Sequence, residues 1–341
     1  MPFAIDYTVP TARPQQGGNF FDDFEQAADA CSVLAPLDLT GSRVEAVRAG
    51  GAELPEDSSP AWDPAATYAV GDRVHVAAVH RVFESAAANN TGKDPTQPAN
   101  QFNAAGAATW WIDLGPTNRS ALFDSMISTP TAALSPLEIV LRPGAFNGMA
   151  MFGIEADYLT ITVTEGDSGA AIYSYSAPLE GTEPADYYEY FFEPFKPQTQ
   201  FIATGIEPYA TARVSITLTK GSGLVRVGML ALGDLRPLGI PLRGASVEPV
   251  DYSYVSTDQF GNTTIRRRAS ATGLSIQSRM DIVDANNVLR SVQDLLGVPV
   301  VVVGSRASGY EALTVFGLLS GRLQYDNYRQ PTLSMTVKGL I

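Results

Sequence analysis

The sequence has a single cysteine, Cys31, and only two histidines, His75 and His80. One thiol forms no intrachain disulfide, so Cys31 reads as a small buried apolar residue. The histidines lie on an alternating segment that would set them on opposite faces of a strand. They read as surface or half-buried residues, not metal ligands. No zinc spacing, phosphate loop or nucleophile elbow occurs, so no metal and no cofactor is expected. Positive charge is also scarce: 23 Lys and Arg stand against 36 Asp and Glu, a net charge of −13. A chain this acidic repels phosphate backbones, which argues against general nucleic-acid binding. The one basic run, Arg266-Arg267-Arg268, reads as a solvated strand end or a subunit contact. No stretch of about 18 apolar residues occurs, so no membrane insertion is expected. The start, Met1-Pro2-Phe3-Ala4-Ile5-Asp6, lacks the basic and apolar regions of a signal peptide. The expectation is a soluble protein made in a cytoplasm.

What is plentiful is turn chemistry. Gly (30) and Pro (23) are abundant, charged residues make up 17%, and hydrophobic content is 45%. That balance fits a turn-rich β protein, and 341 residues suggest two to four modules. Four regions are expected: 1–57, 58–118, 119–243 and 244–341. In the first, Glu25 to Ala30 could form a short helix and Ser42 to Val47 a strand. Glu53 to Pro60 has linker composition. Region 1–57 reads as an arm or docking element that orders against a neighbour.

In the second region, Arg73 to Glu84 reads as a hairpin closed near Ala77-Ala78. Trp62, Tyr68, Phe83 and one of Trp110 or Trp111 would supply its small core. In the third, short strands recur: Leu137–Arg142, Met149–Phe152, Tyr158–Val163, Ala170–Ser174, Tyr187–Phe192, Gln200–Ala203, Ala212–Thr219 and Val225–Leu232. That spacing predicts a β-sandwich or jelly roll. In the fourth, two strands flank Phe260-Gly261-Asn262. A helix capped by Asp284 lines Val288, Leu289, Val292, Leu295 and Leu296 along one face. The apolar run Val298 to Val303 predicts a strand covered on both faces. Strands near Thr314–Leu319 and Leu333–Val337 complete a small α+β domain with one main helix. The fold class expected for the whole chain is mainly β.

Two aromatic groups are candidate contact sites. Trp110 and Trp111 are adjacent, so a strand would point one inward and the other outward. The outward one is a candidate glycan or interface contact. Tyr187, Tyr188 and Tyr190, with Phe191, Phe192 and Phe195, would make a strand aromatic on both faces, either core or subunit interface. Carboxylate pairs such as Asp22/Asp23 and Glu155/Asp157 are what 36 acidic residues produce by chance. A glycosidase needs two carboxylates about 5–10 Å apart in a cleft, and a β-helical depolymerase would show short repeats. No repeats occur, so no catalytic residue and no enzyme is expected.

The stretch from Ala61 to Leu122 carries a resemblance. It runs Trp62-Asp63-Pro64, Tyr68-Ala69-Val70-Gly71-Asp72-Arg73-Val74, Val82-Phe83-Glu84-Ser85, Asn90-Thr91-Gly92 and Trp110-Trp111-Ile112-Asp113-Leu114-Gly115. It resembles the small three-stranded chitin- and cellulose-binding module of secreted glycoside hydrolases. Closed by Gly115-Pro116-Thr117-Asn118-Arg119, it resembles the copy found in tail proteins of long-tailed bacteriophages. Tyr187 to Phe195, Pro208 to Val214, Asp251-Tyr252-Ser253, Asp258 to Thr263 and Lys338-Gly339-Leu340 are similar to segments of the same proteins, so the resemblance covers about 58–341. It implies a virion structural protein of the tail tip or baseplate, synthesised in the bacterial host cytoplasm. The implied partners are other phage tail proteins and further copies of the chain, with three-fold or six-fold symmetry. The alternative it implies is an adhesion protein that binds a host surface glycan. The sugar-stacking aromatics of the family sit where this chain reads Ser85-Ala86-Ala87-Ala88-Asn89-Asn90, so that platform is absent.

Overall fold

The computed structural model describes residues 30–340 apart from 104, 168, 180–196, 258, 262, 268–269, 308 and 326–328. The architecture is mainly β, with one main helix, and its units are nested rather than laid end to end.

The outermost unit is a closed antiparallel barrel. Its strands are β1 (Cys31–Pro36), β17 (Met229–Pro241), β21 (Ser270–Arg279), β22 (Pro299–Val303), β23 (Thr314–Gln324) and β24 (Thr332–Gly339). They pair in the order β17-β1-β22-β23-β24-β21, and Ile240 and Pro241 pair back onto β21 to close the ring. The closing bend needs Gly239. It sits at φ +104°, and a Cβ there would lie 2.6 Å from the Arg279 carbonyl oxygen. Alternate residues point inward, giving a core of Cys31, Val33, Leu238, Leu274, Ile276, Val300, Val302, Val315, Leu319, Met335 and Val337. Helix α2 (Ile282–Asp294) packs on this core through Ala285, Val288 and Val292. β18 (Ser246–Asp251) extends the sheet beyond β21, and β19 (Tyr254–Thr257) and β20 (Thr263–Arg266) follow as a separate two-stranded ribbon.

The sandwich is inserted between β1 and β17. One layer is β13 (Ala171–Pro178), β12 (Tyr158–Glu165), β15 (Ala212–Thr219), β10 (Leu137–Leu141), β2 (Val44–Ala49) and β3 (Ala52–Glu53), paired in that order. The other layer is β14 (Gln200–Thr204) and β11 (Gly148–Phe152), hydrogen-bonded to the first half of β17. β9 (Thr131–Leu134) and β16 (Leu224–Val227) form a short ribbon beside them. Clean alternation builds the filling: Ala212, Val214, Ile216 and Leu218 face inward against Leu137, Ile139, Leu141, Leu159 and Ile161. Each of the Val, Ile and Leu side chains contributes roughly 1.5–3 kcal/mol by leaving water.

The small module is inserted in turn between β3 and β9. Its strands β4 (Thr67–Tyr68) and β7 (Asn90–Thr91) form one ribbon. β5 (Arg73–Val76), β6 (Arg81–Ser85) and β8 (Trp111–Pro116) form the expected three-stranded sheet, and a short turn of helix, α1 (Pro98–Gln101), precedes β8.

Several expectations change. Of region 1–57, the part from Cys31 to Pro36 is a barrel strand between β17 and β22 rather than a separate arm, because Val33 and Leu34 fill opposite faces of the sheet. The Val225–Leu232 strand is two strands, broken at Gly228, where the chain passes from the β9 ribbon to the large sheet. Asp281, not Asp284, caps the helix: its carboxylate accepts from Val283 N at 3.2 Å. Asp284 lies in the first turn, where it meets the positive end of the helix dipole. Leu296 is 54% exposed because the helix has already ended at Asp294. His80 is not on a strand face; it sits at φ 53° in the turn between β5 and β6. Residues 25–29 of the expected helix and the strand 187–192 lie outside the described residues, as do Asp22 and Asp23; Ala30 is described and is not helical.

Candidate functional site

The two tryptophans of the pair take different roles. Trp111 opens β8 and is fully buried; its ring meets Tyr68 edge-on, with centroids 5.3 Å apart at 65°. Its indole N–H donates to the Lys93 carbonyl at 2.7 Å. With Tyr68, Val74 and Phe83 it is the module core. Trp62 packs partly buried against that core, its indole nitrogen enclosed without a hydrogen-bond acceptor. Trp110 is half-buried, and the Lys93 ammonium lies 5.1 Å from its ring centroid. That cation covers one face of the only ring of the pair that reaches solvent. Asn90, from the Asn-Thr-Gly turn, is buried and donates to Ser85 Oγ at 3.0 Å and to the Trp110 carbonyl at 3.2 Å. Ser85 and Asn90 are therefore used to fix the backbone of the pair.

Phe102 is not among the expected contacts. It is 52% exposed on the segment that pairs with residues 108–110, and Ile112 and Leu114 are exposed on edge strand β8. A lone Phe among Asn, Ala and Gly gives no periodic signal, which is why sequence reasoning passes over it. Tyr187, Tyr188 and Tyr190 lie outside the described residues.

The Gly-Pro-Thr-Asn-Arg stretch clasps the module to the sandwich. Thr117 Oγ1 donates to Glu56 at 2.8 Å, and His80 Nδ1 lies 2.5 Å from the same Glu56 oxygen. Asn118 N donates to Asp57 at 3.2 Å. The Asn118 side chain forms two hydrogen bonds with the Ala132 backbone on β9, donating at 3.0 Å and accepting at 2.9 Å. Arg119 pairs with Glu53 at 2.6 Å. Asp57 also accepts from Ser59 N and Oγ, an Asx turn. Burial pushes the Asp57 carboxyl up, but the hydrogen bonds from Ser59 and Asn118 outweigh it and hold it below the usual range. The segment read as linker by composition is thus one jaw of this clasp. Beside it lies a cleft of about 440 Å³, lined by Leu39, Val44, Glu56, His80, Arg119 and Phe123 among others.

A second charged cluster lies at the end of the six-stranded layer. Arg213 grips Glu45 through both nitrogens, at 2.8 and 3.0 Å, and Arg142 donates to Glu45 at 2.9 Å. Asp167 pairs with Arg142. The Arg213 hydrogen bond is the chief cause that holds the Glu45 carboxyl at about 2. The pair Glu155/Asp157 does not converge. Glu155 faces Arg226 and Lys220, while Asp157 accepts from Gly221 N at 2.7 Å. Among the described residues, no group of three His, Cys, Asp or Glu side chains is placed to hold a metal ion.

No protein-family model and no curated protein matches the chain. Among solved structures, it is similar to the F5/8 type C domain of a protein from Bacteroides fragilis, at 13% identity and a TM-score of 0.23. That likeness covers 34% of this chain and 79% of that one. Similarity at this level defines neither a fold nor a ligand.

Proposed function

We propose that this chain is a virion structural protein of the tail tip or baseplate of a long-tailed bacteriophage, present in several copies and linking the tail to its host-facing parts. The observation that carries this reading is the order of tail-protein-like segments along one chain, from Trp62 through Gly115–Arg119 and Pro208–Val214 to Lys338-Gly339-Leu340. The nested plan supports it. A barrel that carries a sandwich, which in turn carries a clasped module, is a scaffold for presenting surfaces in fixed relation. Quantitative mass spectrometry of purified particles tests it. Recovery at a constant ratio to the major tail proteins is expected; absence from washed particles would refute it.

A second reading, adhesion to a host surface glycan, is favoured by one feature: Trp110 reaches solvent and the exposed Phe102 lies on the segment paired with its own. Ring faces can stack on sugar C–H faces. Trp110→Ala and Phe102→Ala should then abolish retention on host lipopolysaccharide with the fold intact. Unchanged retention would exclude this surface.

A further inference from the structure

The β19–β20 ribbon stands outside every described core of the protein. Val255 and Ile265 are directly opposed on one of its faces and are 59% and 63% exposed; Tyr254 is 55% exposed, and Phe260 at the tip is 82% exposed. A two-stranded hairpin is at best marginal in water. One that carries four large apolar side chains in solvent marks a contact surface. At its base are Arg266 and Arg267, with Asp251 beside Arg267, on a chain of net charge −13.

A cleft of about 790 Å³ lies between β17 and helix α2. Its lining includes the buried or half-buried Ile240, Met280 and Val288, and Asp281 and Asp284 are exposed there. Three carboxylates and two guanidiniums line it, and one of the latter, Arg236, is held by Asp234 at 3.0 Å. The ribbon and the cleft lie at opposite ends of the same strand: β21 starts at Ser270 beside the ribbon and ends at Arg279 in the cleft. That strand is roughly 30 Å long at about 3.3 Å per residue. The ribbon and the cleft are therefore separate patches, joined by one strand of the barrel sheet.

We propose that the β19–β20 ribbon of one copy docks in the β17–α2 cleft of a second copy, with Phe260 as the anchor and Arg266 and Arg267 meeting Asp281 and Asp284. A contact between two different patches repeats head to tail, and it closes into a ring when the rotation permits. This deepens the reading of the chain as an assembling subunit and rests on it.

Sedimentation velocity on the full chain tests the contact, with circular dichroism to verify folding. The wild type should self-associate. Phe260→Asp on the ribbon, and separately the double change Asp284→Arg with Asn287→Arg on the cleft, should each weaken association by about thirtyfold or more, the loss expected for a hot-spot anchor. Mixed together, the two variants should form a 1:1 complex that grows no further, because each still carries one intact patch. Variants that associate like the wild type would overturn the contact, as would a mixture that stays monomeric or a wild type that is monomeric at its highest soluble concentration. Recovery from particles is independent of all these outcomes, so failure of the contact and failure of the virion reading are told apart.

Discussion

All three tryptophans, Trp62, Trp110 and Trp111, lie in the small module, so intrinsic tryptophan fluorescence reports that module alone. This makes the division of labour within the Trp110-Trp111 pair measurable. Trp111→Ala removes a side chain with no exposed surface, an edge contact to Tyr68 and a hydrogen bond to the Lys93 carbonyl. Truncating a buried aromatic costs about 3–5 kcal/mol. In a domain of this size 1 kcal/mol corresponds to about 4–8 °C, so the midpoint should fall by roughly 12 °C or more. Trp110→Ala removes a half-exposed ring and its contact with the Lys93 ammonium, worth about 0.5–1 kcal/mol. Its shift should stay within about 8 °C. The assay is thermal unfolding followed at the tryptophan emission maximum, with far-ultraviolet circular dichroism reporting the sandwich and barrel. Equal shifts for the two variants, or a larger one for Trp110→Ala, would refute the assignment of Trp111 as core and Trp110 as surface.

Three further outcomes are expected. Asn118→Ala leaves the Ala132 N–H and carbonyl without their partner; it should cost about 1–3 kcal/mol and expose the module junction to limited proteolysis, whereas an unchanged digestion pattern would show that the clasp is dispensable. Glu45 has its carboxyl lowered from 4.5 to about 2, so it adds stability above pH 4.5 that is lost as the pH falls towards 2. Glu45→Gln should flatten the melting temperature across that window and change little at pH 7 beyond a constant offset; parallel curves would contradict this. Cys31, fully buried in the barrel with its thiol pushed up to about 12 by burial, should resist alkylation at pH 8 until denaturant is added. Rapid labelling of the native protein would show that β1 is not seated in the barrel.

Much of the fold was legible where one face of a strand is buried and the other is wet. Ala212 to Thr219 alternates residue by residue and is observed over the full expected range. Val298 to Val303 reads as a doubly covered strand because Val300 and Val302 face the barrel core while Val301 and Val303 are buried on the other face of the same sheet, with Leu34, Phe152 and Phe316. Closure and nesting were not legible. β1 is six residues long, and its partners, Leu235 and Val302 among them, lie far along the chain, so no local pattern marks it as a barrel strand. Asp281 and Asp284 are both good caps by type; the choice falls on Asp281 because the helix begins directly after it, just beyond the end of β21. The aromatic pair was legible as one in and one out, but which is which depends on Tyr68 and the Lys93 carbonyl. Glu56-Asp57-Ser58-Ser59 has the composition of a linker, and the same residue types make Asx turns and clasps, so composition alone does not separate the two.

The most direct test of a place in the tail tip is immunogold electron microscopy of intact phage particles with antibody against this chain. The predicted result is label confined to the distal end of the tail, in several copies per particle. Particles without label, with the protein recovered only in the free fraction of the lysate, would contradict it.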